Sequence, residues 1–141
     1  MNITQLTMLL PNDPGALSKV SEILGENGIN IIALTVADLG DIGRLRFIAN
    51  DPERAFNVLR TAGYEVNKRE VIAVETPHHP GGLNAILKPL KMAGVNVNYL
   101  YPALSGEEKA VLVLGVDKNE EAVKALRTNW INLLGTEIYS L

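Results

Sequence analysis

The chain of 141 residues has no cysteine, which removes disulfides and thiolate metal sites and fits a cytoplasmic setting. Aromatic residues are scarce: four Tyr, two Phe and one Trp are too few for a platform on which bases stack. Basic excess is missing as well. The formal net charge is −3, whereas a nucleic-acid surface normally needs a basic stripe. No apolar run reaches the roughly 18 residues of a membrane span. The opening residues carry no basic segment ahead of an apolar block, so no secretory signal is expected. Neither nucleic acid nor membrane is an expected partner, and the balance of 47% hydrophobic to 21% charged residues is that of a soluble globular protein.

What the chain has instead is a repeat. The stretch Asn12-Asp13-Pro14-Gly15-Ala16-Leu17, continuing to Gly28-Ile29-Asn30-Ile31, returns as His78-His79-Pro80-Gly81-Gly82-Leu83 and Gly94-Val95-Asn96-Val97. Pro14 and Pro80 are 66 residues apart (80 − 14), as are Gly28 and Gly94, Asn30 and Asn96, and Asp51 and Asp117. Pairs of punctuation residues at one offset mark an internal repeat. Two domains are expected, 1–68 and 69–141. Units of about 70 residues are marginal alone, so they are expected to share a core or pack against a partner.

The apolar run 3–10 reads as a strand. Asp13 is the expected N-cap of a helix with Pro14 at its first position. Leu17, Val20 and Leu24 follow at helical spacing, and Gly28 ends it. Residues 30–38 form a strand that is apolar on both faces. One face should meet the helices and the other a second copy of the protein. A turn at 39–43 leads to a strand at 44–50. Asp51-Pro52 repeats the cap signal for a helix carrying Ala55, Phe56, Leu59 and Ala62, which stops at Gly63. Residues 64–76 hold neither Gly nor Pro, so a nearly continuous strand, not a flexible linker, is expected to join the units.

The second unit repeats this plan. A helix at 80–93 carries Leu83, Ile86, Leu87 and Leu90, with Pro89 expected to kink it. A strand at 96–103, a turn at 105–108 and a strand at 109–116 follow. Asp117 and Glu120 read as a capping box for a helix ending near 128, and 135–139 as the last strand. The fold class is α+β: two tandem ferredoxin-like βαββαβ units with antiparallel sheets and helices on one face.

Each unit resembles an ACT domain, a small-molecule-binding regulatory module of amino-acid metabolism. The Pro-Gly-x-Leu and Gly-x-Asn-(Ile/Val) segments quoted above carry the resemblance, which spans nearly the whole chain. It implies an amino acid bound at an interface between ACT units, across a homodimer or within the chain. The loop before the first helix and the residues opening the second strand would contact it. The implied ligand residues are Asn12, Asp13, Gly15, Ala16, Leu17, Asn30 and Ile31 in the first unit. In the second they are His78, His79, Gly81, Gly82, Asn96 and Val97. His78 stands where the first unit has Asn12, so the two sites are not expected to be equivalent.

The chemistry of these residues points the same way. A helix N-terminus offers free N–H groups and a positive dipole end to a carboxylate. Gly15 leaves the approach clear, Asn30 supplies a donor and an acceptor, and Asp13 or Asn12 suits an ammonium. Asn30 and Asn96 equally fit a local role bridging a Gly turn to a strand. The His78-His79 pair has no third ligand nearby in sequence, so neither metal nor cofactor is expected. Arg44 and Arg46 alternate on a strand as a solvated or interface face, and Tyr99 and Tyr101 read as sheet or dimer core. No nucleophile–base pair, phosphate loop or carboxylate dyad appears, so a non-enzyme is expected. The alternative to a stand-alone sensor is an interaction subunit that regulates an amino-acid-metabolism enzyme in trans.

Overall fold

The computed structural model of the protein describes residues 2–77, 79–104 and 109–141. The turn expected at 105–108 and His78 lie outside the described residues. Two compact units emerge, Thr4–Arg69 and Glu70–Leu141, the latter joined by residues 2–3. Strand β4 (Asn67–Pro77) runs without interruption through the point at which they divide, as the lack of Gly and Pro there requires.

The first unit contains β1 (Ile3–Pro11), α1 (Ala16–Glu26), β2 (Ile31–Asp38), β3 (Ile42–Ala49) and α2 (Pro52–Thr61). β3 lies between β1 and β2 and is antiparallel to both. Leu6, Met8, Leu10, Leu45, Phe47 and Ala49 from the sheet meet Val20, Leu24, Ala55 and Leu59 from the helices in one buried cluster. Both helices therefore cover the same face. Phe56 is only half buried and takes Lys68 Nζ at 4.4 Å over its ring.

The second unit contains α3 (Gly82–Met92), β5 (Val97–Pro102), β6 (Lys109–Val116), α4 (Asn119–Thr128) and a two-residue β7 (Leu133–Leu134). β6 pairs with β4 and β5, and β7 with β4, all antiparallel. Ile86, Leu90, Ala122 and Leu126 bury against Ile72, Val74, Leu112, Leu114 and Val116. This is the α+β, ferredoxin-like architecture that the periodicity predicts.

Three local expectations are corrected. Asp13 does not cap α1: Gly15 takes the N-cap position at φ 87°, ψ −9°, with no side-chain cap hydrogen bond. Pro14 lies outside the helix. The helix therefore starts two residues later than expected, and Leu17 and Leu83 are exposed instead of joining the core stripe. At the other end of the chain, 135–139 is not a strand. β7 ends at Leu134, and Thr136–Ser140 coils into a 3₁₀ turn.

The third correction concerns the offset. β2 and β5 begin 66 residues apart (97 − 31), but α2 and α4 begin 67 apart (119 − 52). One residue is inserted between those points. Asp117 is therefore the counterpart of Asn50, not of Asp51. Asp51 Oδ1 caps α2 by accepting from Arg54 N at 3.2 Å, whereas Lys118 occupies that position on α4 without a side-chain cap.

Candidate functional site

The two Pro-Gly segments fold alike. Ala16 N donates to the Asp13 carbonyl at 3.2 Å, and Gly82 N donates to the His79 carbonyl at 3.0 Å. With Pro second and Gly third at φ 87° and 85°, each is a turn of type II character, for which only Gly adopts the third position without strain. Each turn delivers the chain into a helix with no side-chain cap and no acidic residue in its first turn. Ala16 N and Gly82 N are used within the turns, and no side chain caps the first-turn amides that follow them.

Asn12 is committed to structure. Its Nδ2 donates to the Gly40 carbonyl at 2.8 Å and to Asp38 Oδ1 at 3.3 Å, and its backbone N donates to the Asp41 carbonyl at 2.9 Å. It pins the loop to the β2–β3 hairpin, while Asp13 beside it is exposed and makes no side-chain hydrogen bond among the described residues. In the second unit His79 is exposed, with Nδ1 at 2.8 Å from the Pro80 carbonyl oxygen. That acceptor calls for the Nδ1–H tautomer and presents Nε2 as an acceptor. Gly82 is buried at the start of α3: a Cβ there would collide with the Pro77 carbonyl oxygen, and Thr76 Oγ1 donates to the Gly82 carbonyl at 3.0 Å.

Asn30 and Asn96 open β2 and β5 beside matching bulges, where Ile31/Ala33 and Val97/Tyr99 each skip one residue against the partner strand. The Asn30 N donates to Asn50 Oδ1 at 3.0 Å, and the Asn96 N donates to Asp117 Oδ1 at 2.9 Å. These supporting residues escaped the sequence reading, which set the offset at 66 where it had become 67. The side chains differ. Asn96 Nδ2 donates to Asn98 Oδ1 at 2.8 Å. The counterpart of Asn98 is Ile32, which is buried, and the Asn30 side chain makes no hydrogen bond among the described residues. Ile31 and Val97, one residue on, are half buried.

The structure does not bring the loop and the asparagine together within a unit. Asn12 bonds to the end of β2 at Asp38, while Asn30 stands before its start at Ile31. Seven strand rises separate those ends, ~23 Å. Nearby, Tyr99 stacks with Tyr101, ring centroids 6.4 Å apart, and lies over Gly115, whose Cβ would fall within the Tyr99 ring. That pair belongs to the sheet. Among the described residues no group of three His, Cys, Asp or Glu could hold a metal, and no helix is long and apolar enough to cross a membrane.

The sequence family described as an ACT domain pair matches residues 1–137. The fold superposes on the crystal structure of a protein from Bacteroides thetaiotaomicron with a TM-score of 0.94 at 31% identity, covering 100% of this chain and 98% of that one. The ligand-free regulatory subunit of aspartate kinase from Thermus thermophilus is similar in fold, with a TM-score of 0.67 at 16% identity over 90% of this chain and 92% of that one. The corresponding subunit from Thermus flavus gives 0.62 at 18% identity, over 90% and 92%. No curated protein matches the chain in sequence.

Proposed function

Because the chain belongs to the ACT domain pair family, we propose that it is a non-catalytic, cytoplasmic regulatory protein that binds an amino acid between ACT units of a homodimer. The observation that carries this reading is the doubled Pro-Gly turn, each copy leading into a helix whose first-turn amides no side chain caps. Those amides suit a carboxylate. The unattached Asn30 amide, and Asp13 or His79 Nε2, suit an ammonium. Loop and asparagine stand at opposite ends of a strand, so a ligand of amino-acid size touching both must take each from a different unit. Exposed Leu9 and Ile42 share one sheet face at the hairpin end of the first unit, beside the Asn12 loop, and favour cover by a second copy.

Isothermal titration with a panel of the common amino acids tests the reading. One of them should release or absorb heat and raise the thermal midpoint; neither effect with any of them would sink it. Asn30→Ala should weaken binding about tenfold or more, an interaction of roughly 1.4 kcal/mol. Asn96→Ala should cost less, because its amide is already shared with Asn98. Equal losses would contradict the asymmetry.

The second reading is regulation of an enzyme in trans. Two of the similar structures are regulatory subunits of aspartate kinase, which makes an enzyme of amino-acid metabolism the partner class to look for. Co-purification of a stoichiometric enzyme with the tagged chain would favour it, and a clean ligand-responsive homodimer would favour the first.

A further inference from the structure

Helices α2 and α4 align at an offset of 67 (119 − 52) from their first residues to their stops. There Gly63 N donates to the Arg60 carbonyl at 3.0 Å and Trp130 N to the Arg127 carbonyl at 3.1 Å, with left-handed φ of 96° and 63°. The same offset holds on to Val66 and Leu133, each buried in its own unit's cluster. In the first unit Glu53, Phe56 and Arg60 share one face of α2. Lys68 Nζ donates to both Glu53 carboxylate oxygens, at 2.7 and 2.8 Å, and lies 4.4 Å from the centre of the Phe56 ring. The Arg60 guanidinium lies 5.3 Å from the centre of the same ring. The first unit thus fills this face with an aromatic ring and an ammonium, held by a carboxylate and a guanidinium.

The second unit keeps the holders and lacks what they hold. Glu120 stands for Glu53 and Arg127 for Arg60. The ring is gone, because Val123 stands for Phe56, and so is the ammonium, because Gly135 stands for Lys68. Glu120, Val123 and Arg127 instead line an open cavity of about 390 Å³, together with Lys124 and Asn2. Lys124 stands where the first unit has Asn57, so a cation is gained where the ring and the ammonium are lost. Glu120 and Lys124 are four residues apart, the spacing of a helical ion pair. Yet neither they nor Arg127 make a side-chain hydrogen bond or ion pair among the described residues. Asn2 donates through Nδ2 to Glu70 Oε2 at 3.2 Å, and its Oδ1 remains an acceptor.

We propose that this cavity on α4 binds a free aromatic amino acid, which supplies the parts the second unit lacks. The ligand's ring takes the place of the Phe56 ring, on Val123 and against the Arg127 guanidinium. Its ammonium takes the place of Lys68 Nζ at Glu120, with Asn2 Oδ1 as a second acceptor. Its carboxylate meets Lys124, the cation that the first unit does not have at this position. An aromatic amino acid carries its ammonium on the carbon next but one to its ring, so one helix face can receive both. The volume lies within the range of small-molecule pockets. No residue of the Pro-Gly loops lines the cavity, nor does Asn30 or Asn96, so this site is separate from the one proposed above.

Amide NMR titration of the full chain with L-phenylalanine tests the assignment. Saturable shifts should fall at Asn2, Val123 and Arg127. Phenethylamine lacks the carboxylate, 3-phenylpropionate the ammonium and L-alanine the ring; each should bind about tenfold or more weakly. Glu120→Gln, an exposed exchange that leaves the fold alone, should weaken L-phenylalanine by about tenfold. Val123→Phe combined with Gly135→Lys rebuilds the first unit's arrangement and should abolish the cavity shifts without lowering the thermal midpoint. Absence of saturable shifts would overturn the proposal, as would binding that both variants leave at the parent's strength, or equal binding of 3-phenylpropionate or L-alanine. Shifts confined to the Pro-Gly loops would also overturn it, while leaving the loop site intact. Cavity shifts in a chain whose loops respond to no amino acid would uphold this site and remove the other.

Discussion

The two units share backbone geometry more closely than they share chemistry. Their Pro-Gly turns agree within 2° in φ, 87° against 85°. Their bulges fall at the same point of the second strand, and a side-chain oxygen bonds the amide of the strand-opening asparagine in each. Yet Asn50 does in one what Asp117 does in the other, Asp51 caps where Lys118 cannot, Ala16 becomes Gly82, and Gly63 becomes Trp130. The fold constrains what the main chain needs, namely a left-handed turn residue, a bonded amide and a helix stop. It leaves open which side chain supplies it.

The sharpest break between the units should come at the first residue of the first helix. Gly82→Ala drives a methyl into the Pro77 carbonyl oxygen, a backbone atom that cannot swing away. Overpacking of this kind costs about 3 kcal/mol, and chemical denaturation should show it. The reverse exchange, Ala16→Gly, adds only chain entropy, about 1 kcal/mol. Equal losses would mean that the two strand-to-helix junctions are equally close.

Next come the helix stops. Gly63→Ala should destabilise by about 1–2 kcal/mol, the cost of left-handed backbone for a residue with a Cβ, and Trp130→Gly should stabilise by a similar amount. Thermal melts of both variants check the pair, and opposite signs are the expected result. The caps follow. Asp51→Ala should cost ~1 kcal/mol by removing the acceptor of Arg54 N, and Lys118→Asp should gain up to about that much by supplying the missing cap to α4.

These contrasts also explain what the sequence made legible. Strand and helix periodicity, the Pro and Gly punctuation and the repeat itself defined both units and the strand joining them. Asp13-Pro14-Gly15 was misread because Asp-Pro signals a helix cap while Pro-Gly signals a turn, and only the Ala16 N bond to the Asp13 carbonyl decides between them. The extra residue between β5 and α4 is silent, since Asp117 resembles Asp51 chemically while standing where Asn50 does. Of the candidate site, the loops and asparagines were legible from residue type, but Asn12's commitment to the hairpin and Asn98's to Asn96 depend on tertiary neighbours. Nothing in Asn129-Trp130-Ile131 announces a left-handed tryptophan.

The smallest expected difference lies at the end of the second unit, where the 3₁₀ turn replaces a strand. Glu137, in the first turn of Thr136–Ser140, has its carboxyl held below the usual range by the Gly135 backbone amide first and by its own amide second, against a slight opposing effect of burial. A carboxylate whose folded pKa is depressed contributes stability that is complete above the unfolded value, near 4.5, and is lost as pH falls through the folded one. The turn should therefore loosen only in acid, below about pH 4.5, and the group's full exposure keeps the effect small. Amide hydrogen exchange at residues 136–140 should accelerate as pH is lowered through that window in the parent, after correction for the intrinsic pH dependence of exchange. In Glu137→Gln it should already be fast and show no corrected pH step. Global unfolding should respond little, because the buried cluster of α3, α4 and their sheet takes nothing from this contact. A large acid shift in global stability that Glu137→Gln abolishes would show instead that the 3₁₀ turn, through buried Ile138, is as integral to the second unit as the helices are.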